Sequence, residues 1–144
     1  MLIRGKCHCG NISFALTWLP APTAIPARAC TCTFCQKHGG VWTSHPAGTL
    51  TVTIAEPGQV SNYSFGTRTA DFHVCSRCGA VPVATSRIDG NLYAVVSVNA
   101  FEGVDPALIE RATAAAFDGE TEESRLARRK RHWIARVEFA AARS

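Results

Sequence analysis

No stretch of this chain approaches the roughly 18 apolar residues a membrane-spanning helix requires, and the N-terminus Met1-Leu2-Ile3-Arg4-Gly5 has no long apolar region. Neither a span nor a secretory signal is therefore expected. Internal repeats, Pro/Gly-rich linkers and low-complexity tracts are also missing, so residues 1–144 read as one domain, long enough to bury a core. Charge is modest: 18% charged against 47% hydrophobic residues argues for a folded chain rather than a disordered one. Cysteine, at seven residues of 144, is too sparse for a disulfide scaffold. In the reducing cytoplasm that the missing signal implies, clustered cysteines bind metal more often than they pair.

Those seven are clustered. Cys30, Cys32 and Cys35 form C-x-C-x-x-C; Cys7-His8-Cys9-Gly10 and Cys75-Ser76-Arg77-Cys78-Gly79 supply a C-x-C and a C-x-x-C. In an extended segment residues two apart point the same way, so Cys30 and Cys32 converge and a turn through Thr33-Phe34 brings Cys35 to them. Each outer pair is followed by glycine, which suits a tight turn around thiolate sulfur. Cys7, Cys9, Cys75 and Cys78 make a complete four-thiolate set, leaving Cys30, Cys32 and Cys35 as three. Structural zinc sites are closed by four protein ligands, whereas catalytic ones keep three and an open position. For the three-cysteine set two readings stand: an open site, or a closed one whose fourth ligand lies elsewhere, His38 being nearest in sequence. Seven thiolates and two zinc ions would bring the formal charge of +4 close to neutral.

Alternation of Ile12, Phe14, Leu16 and Trp18 with small or polar residues marks a half-buried strand, as does that of Leu50, Val52 and Ile54. Pro20, Pro22 and Pro26 predict a loop up to Arg28. Gln36 to Gly40 fits one helical turn. Tyr63 and Phe65 begin a strand, and Ala70, Phe72 and Val74 lead a second into Cys75. Pro82 argues that the strand resuming at Val81 and Val83 lies at a sheet edge. Asp89-Gly90 is a hairpin turn before the apolar run Leu92 to Val98, which reads as a central strand. Asp105 caps a short turn beginning at Pro106. Arg111 to Phe117 fits strand or helix, with Asp118-Gly119 after it favouring strand, and Thr121 to Arg131 reads as the one clear helix.

That helix carries Arg125, Arg128, Arg129, Lys130 and Arg131, with Arg136 beyond it. Acids at its start and bases at its end complement the helix dipole. With only Trp133 nearby for base stacking, the run reads as a solvated face rather than a nucleic-acid surface. Among the histidines, His8 reads as a bystander and His73 as facing solvent or the surroundings of the metal. His45 has no evident partner. His38 is close enough in sequence to the three cysteines to touch a bound substrate, and reads equally as an exposed loop histidine.

The order C-H-C-G, C-T-C-T-F-C with a trailing glycine pair, and C-S-R-C-G resembles the glutathione-dependent formaldehyde-activating enzyme family over about Gly5 to Phe101. The tail segments Phe117-Asp118-Gly119 and Arg131-His132-Trp133-Ile134 resemble one branch of it. The resemblance implies a mainly β, Mss4-like fold of coiled antiparallel sheets organised around zinc, here with one C-terminal helix. It also implies two zinc ions, a structural one on Cys7, Cys9, Cys75 and Cys78 and a catalytic one on Cys30, Cys32 and Cys35.

A zinc held by three thiolates is electron-rich and a weak Lewis acid towards water; a soft incoming thiol suits it better. This agrees with the activity the resemblance implies, carbon–sulfur lyase chemistry in which glutathione adds to formaldehyde to give S-hydroxymethylglutathione. Two other classes use the same residues: a non-catalytic thiol carrier, and an interaction module with both metals structural. The methionine sulfoxide reductase type, which shares the fold, needs two C-x-x-C pairs and a separate nucleophilic cysteine, and no cysteine is left over. A small-molecule thiol and an aldehyde are thus the expected partners. No arginine pair near the cysteines stands out as a carboxylate site.

Overall fold

In a computed structural model, residues 1–115 and 119–141 are described. They form two mixed sheets. The first runs in the order β10-β1-β2-β5-β12. It comprises β1 (Leu2–Lys6), β2 (Ile12–Thr17), β5 (Thr49–Ile54), β10 (Phe101–Glu102) and β12 (Arg136–Ala141). The second runs β11-β3-β4-β9-β8-β7-β6. Its strands are β3 (Ile25–Cys30), β4 (Val41–Thr43), β6 (Val60–Tyr63), β7 (Asp71–Cys75), β8 (Val83–Ile88), β9 (Asn91–Ser97) and β11 (Ile109–Ala115). Among the described residues there are also two α-helices, α1 (Thr33–His38) and α2 (Glu122–His132), and three short 3-10 turns. The mainly β expectation is met, but each sheet has a parallel pair at one edge, β12 on β5 and β11 on β3.

The core follows from the alternation in the sequence. Ile3 from β1, Ile12, Phe14 and Leu16 from β2, and Leu50 and Val52 from β5 bury their side chains together with Ile25, Val83, Ala94 and Val96 from the second sheet. Successive residues of a strand point to opposite faces. Accordingly Tyr93 and Val95 of β9 and Ala84 of β8 join Trp42, Ile88, Cys35 and Trp133 in a second buried cluster. The apolar run of β9 is thus explained by burial on both faces. Ile134, fully buried, exchanges both backbone hydrogen bonds with Ala94 and ties the end of α2 to this central strand.

Helix α2 starts at Glu122 because the Thr121 hydroxyl accepts the Ser124 amide hydrogen bond at 3.1 Å. It is polar nearly all round, and Leu126 is its apolar contact with the second cluster. A helix of that composition needs tertiary partners beyond an apolar stripe, and its arginines supply them.

Four local expectations need correction. Pro82 precedes β8, which lies inside the sheet between β9 and β7, so its missing N–H falls outside the ladder. Pro26 belongs to β3; β4 reaches only Arg28 and Ala29, so the chain at Pro26 is paired on one side, where a missing N–H is tolerated. Helix α1 begins three residues earlier than expected and takes Cys35 into its first turn. The strand expected at Tyr63 and Phe65 begins at Val60 and ends at Tyr63. The predicted strand through Phe117 is present as far as Ala115; Phe117 and Asp118 lie outside the described residues.

Candidate metal centres and an arginine-lined cavity

Cys7 and Cys9 sit in the turn between β1 and β2, Cys75 ends β7, and Cys78 lies in the turn after it. The four sulfurs all fall within 4.8 Å of one another. Cys9 Sγ is 3.5 Å from Cys75 Sγ and 3.8 Å from Cys7 Sγ, too far for disulfides. Four sulfurs about 2.3 Å from one tetrahedral zinc would be about 3.8 Å apart, so the spacing fits a shared ion. The turns are held by backbone hydrogen bonds from Gly10 to Cys7 and from Gly79 to Cys75. Both glycines have positive φ, 86° and 80°, which a side chain would oppose. The Ile12 amide donates to Cys7 Sγ at 3.3 Å.

Charge is distributed unevenly over these thiols. Burial pushes Cys7 up to about 11, against the Ile12 amide, and the neighbouring thiols add to the rise. Burial also acts to raise Cys78, but the amides of Ala80 and Cys9 and the thiols of Cys75 and Cys7 together bring it down to about 6.

The second centre combines the end of β3 with α1. Cys30 is the last residue of β3; Cys32 caps α1, its Sγ accepting the Cys35 amide at 3.3 Å. The three sulfurs lie within 4.8 Å of one another, and among the described residues no fourth Cys, His, Asp or Glu joins them. A hydrogen bond from Cys35 is the main reason Cys30 is held down to about 5, with Cys32 and the Arg28 charge assisting. Cys35 is pushed far up, first by that same hydrogen bond and then by burial. Burial raises Cys32 as well.

His38 is not part of this group. Its ring packs against Phe34, with centroids 4.4 Å apart, and edge-on to Trp42 and Phe72. Its Nε2 is buried without a hydrogen-bond partner, and burial lowers its pKa. Gly40 makes this packing possible, since a Cβ there would come within 2.8 Å of the His38 ring and 2.9 Å of the Trp42 indole nitrogen.

A cavity of about 300 Å³ opens beside Cys30, Cys32 and Cys35. Trp42, Phe65, Phe72 and Trp133 supply apolar surface, and Arg28, Arg125, Arg128 and Arg129 line the rest with threonines. The solvated-face reading of the basic run therefore holds for Lys130, Arg131 and Arg136, which are exposed, and fails for the other three. Arg129 is 8% exposed. Its Nη1 donates to Thr69 Oγ1 at 2.8 Å and Ser86 Oγ at 3.2 Å, and its guanidinium lies 5.0 Å from the centre of the Trp133 ring. Burial lowers its pKa to about 10, with Arg128 and Arg125 contributing. Arg125 and Arg128 both bind Glu120, Arg128 through two bonds of 2.8 and 3.2 Å.

The arginine site was missed in the sequence, although Arg28 stands two residues before Cys30 in an extended strand and so shares its face. His73 also differs from expectation: it is buried, with Nε2 2.8 Å from Thr85 Oγ1 and its ring beside Phe139. His45 does have partners, stacking on Trp18 at 4.8 Å and contacting the Leu19 carbonyl at 3.0 Å.

Two cysteine clusters that could hold metal, one with a cavity at its side, are built into a mainly β fold. Comparison with known proteins makes the assignment specific. A model of the glutathione-dependent formaldehyde-activating enzyme family matches residues 2–114. A Halomonas elongata protein, provisionally named as such an enzyme, is 32% identical over 87 residues, covering 56% of this chain and 54% of its own. The match thus spans about half the length of that relative. A crystal structure of a Rhodobacter sphaeroides protein superimposes with a TM-score of 0.54 at 30% identity, over 72% of this chain and 92% of the other. The chain belongs to the glutathione-dependent formaldehyde-activating enzyme family. No helix among the described residues is long and apolar enough to cross a membrane.

Proposed function

We propose that this protein promotes the addition of a thiol such as glutathione to formaldehyde or another small aldehyde, and the reverse release, as a carbon–sulfur lyase. The observation that carries this reading is the three-cysteine group without a fourth ligand among the described residues, placed on the wall of a cavity large enough for a small molecule. Cys7, Cys9, Cys75 and Cys78 would hold one zinc for the fold, and Cys30, Cys32 and Cys35 the second. The donor set fits: sulfur ligands suit zinc, and three of them leave one tetrahedral position open. When bound there, zinc supplies a soft site that accepts sulfur and favours the deprotonated, nucleophilic form of a thiol.

The remaining work falls to the chain. Trp42, Phe65, Phe72 and Trp133 limit water around the reacting groups, which strengthens electrostatic interactions within the cavity. Cys30 and burial push the Cys35 thiol up, and the hydrogen bond from the Trp42 side chain only partly opposes them. His38, half-buried and packed on Phe34, supports the aromatic wall and does not line the cavity.

The test is exchange spectroscopy of the glutathione–formaldehyde equilibrium with and without the zinc-loaded protein. Acceleration that Cys30→Ser abolishes is expected. Thiol binding without acceleration would make the protein a carrier and remove the enzyme reading.

A further inference from the structure

The arginines raise a question that the thiol chemistry leaves open. Four guanidinium groups line one small cavity, and no Asp or Glu is among its described lining residues. Glu120 pairs with Arg125 and Arg128; it does not pair with Arg28 or Arg129. Arg28, half-buried beside the cysteine trio, makes no side-chain hydrogen bond among the described residues; the group its charge acts on is the Cys30 thiol, not a carboxylate. Arg129 is bound only to neutral hydroxyls, through Nη1, while its Nε and the Trp133 indole N–H are buried without an acceptor. The site is therefore rich in donors and positive charge and poor in acceptors. Buried donors are normally satisfied, and planar guanidinium pairs are suited to carboxylates.

Three of these four arginines lie on α2, beyond residue 114 where the family match ends. Arg129 thus lies in a part of this chain that the match does not cover, while Arg28 lies within it.

We propose that Arg28 and Arg129 bind a carboxylate carried by the thiol substrate itself, making the cavity selective for short anionic thiols over neutral ones. The inference rests on the thiol reading above and adds a substrate class to it. The carboxylate occupies the Arg28–Arg129 side while the sulfur end reaches the cysteine trio. A single small molecule then spans both halves of the cavity, and size as well as charge limits what enters.

Calorimetric titration of the zinc-loaded protein with 3-mercaptopropionate, 3-mercapto-1-propanol and propionate separates the two readings. The anionic thiol should bind about tenfold or more tightly than the neutral one, the magnitude expected of a charge-assisted pair, and the advantage should shrink with added salt. Arg28→Gln should bring the anionic thiol down to the neutral one's affinity, and Arg28→Lys should restore part of the difference. Arg129 also ties α2 to Thr69 and Ser86, so Arg129→Lys is the variant of choice there, with folding checked by circular dichroism. Equal affinity for the two thiols in the wild type would overturn the clamp while leaving thiol binding intact. Failure of both thiols to bind would overturn the thiol reading and the clamp together.

Discussion

Replacing one cysteine in each centre should have very different consequences. Cys75 is fully buried, lies in the principal core with Cys7, and joins the β1–β2 turn to the end of β7 across 66 residues of chain. A structural zinc contributes on the order of 10 kcal/mol or more to folding, comparable with the roughly 5–15 kcal/mol by which a whole domain is stable. Cys75→Ser would remove one of the four proposed ligands and leave a buried hydroxyl in its place, so the variant should be largely unfolded or insoluble. Cys30 is half-buried and packs at the margin of the second cluster. Its replacement leaves the first centre and the main core untouched. Cys30→Ser should therefore fold and carry one zinc instead of two. Urea unfolding followed by far-UV circular dichroism, paired with zinc quantification on the same samples, reads both effects. Equal loss of folding in the two variants would refute the separation into a structural and a reactive centre.

Other consequences are simpler to state. Native mass spectrometry of protein purified without chelator should show two zinc ions per chain; one tightly held metal would overturn the partition of the seven cysteines. Ile134→Ala should cost about 2–5 kcal/mol in chemical denaturation, as expected for emptying a fully buried aliphatic site, because Ile134 anchors the end of α2 on β9. The Glu120 carboxyl is held below its ordinary 4.5, first by the hydrogen bond from Arg128. Its contribution to stability is thus complete above that value and lost as pH falls through the folded-state pKa. Glu120→Gln should destabilise the protein at neutral pH, and the gap from wild type should narrow as the pH drops below 4.5.

The cysteine groups were legible because ligand spacing is local: a C-x-C or C-x-x-C brings its own sulfurs together, and seven cysteines divide into four and three without remainder. Most strands were legible from alternation, as in Ile12 to Trp18. What failed depended on neighbours distant in sequence. Pro82 looks like an edge residue until the pairing of β8 with both β7 and β9 is known. The basic run looked solvated because acids and bases were correctly ordered along the helix, a pattern that says nothing of which face is covered. Only the contacts of Arg129 with Thr69, Ser86 and the Trp133 ring turn it inward. His73 looked exposed because alternation identifies two faces but not which is buried; along β7 His73 is buried while its neighbours Phe72 and Val74 are half-buried.

The most direct measurement replaces zinc with cobalt, whose thiolate charge-transfer bands respond to each added sulfur, and titrates the protein with glutathione. If the Cys30, Cys32 and Cys35 centre keeps a position open for a thiol, the bands intensify in the wild-type protein and saturate at one equivalent per chain, while Cys30→Ser shows no change. A wild-type spectrum indifferent to glutathione and to smaller thiols would mean that the second centre is closed, and would contradict the account.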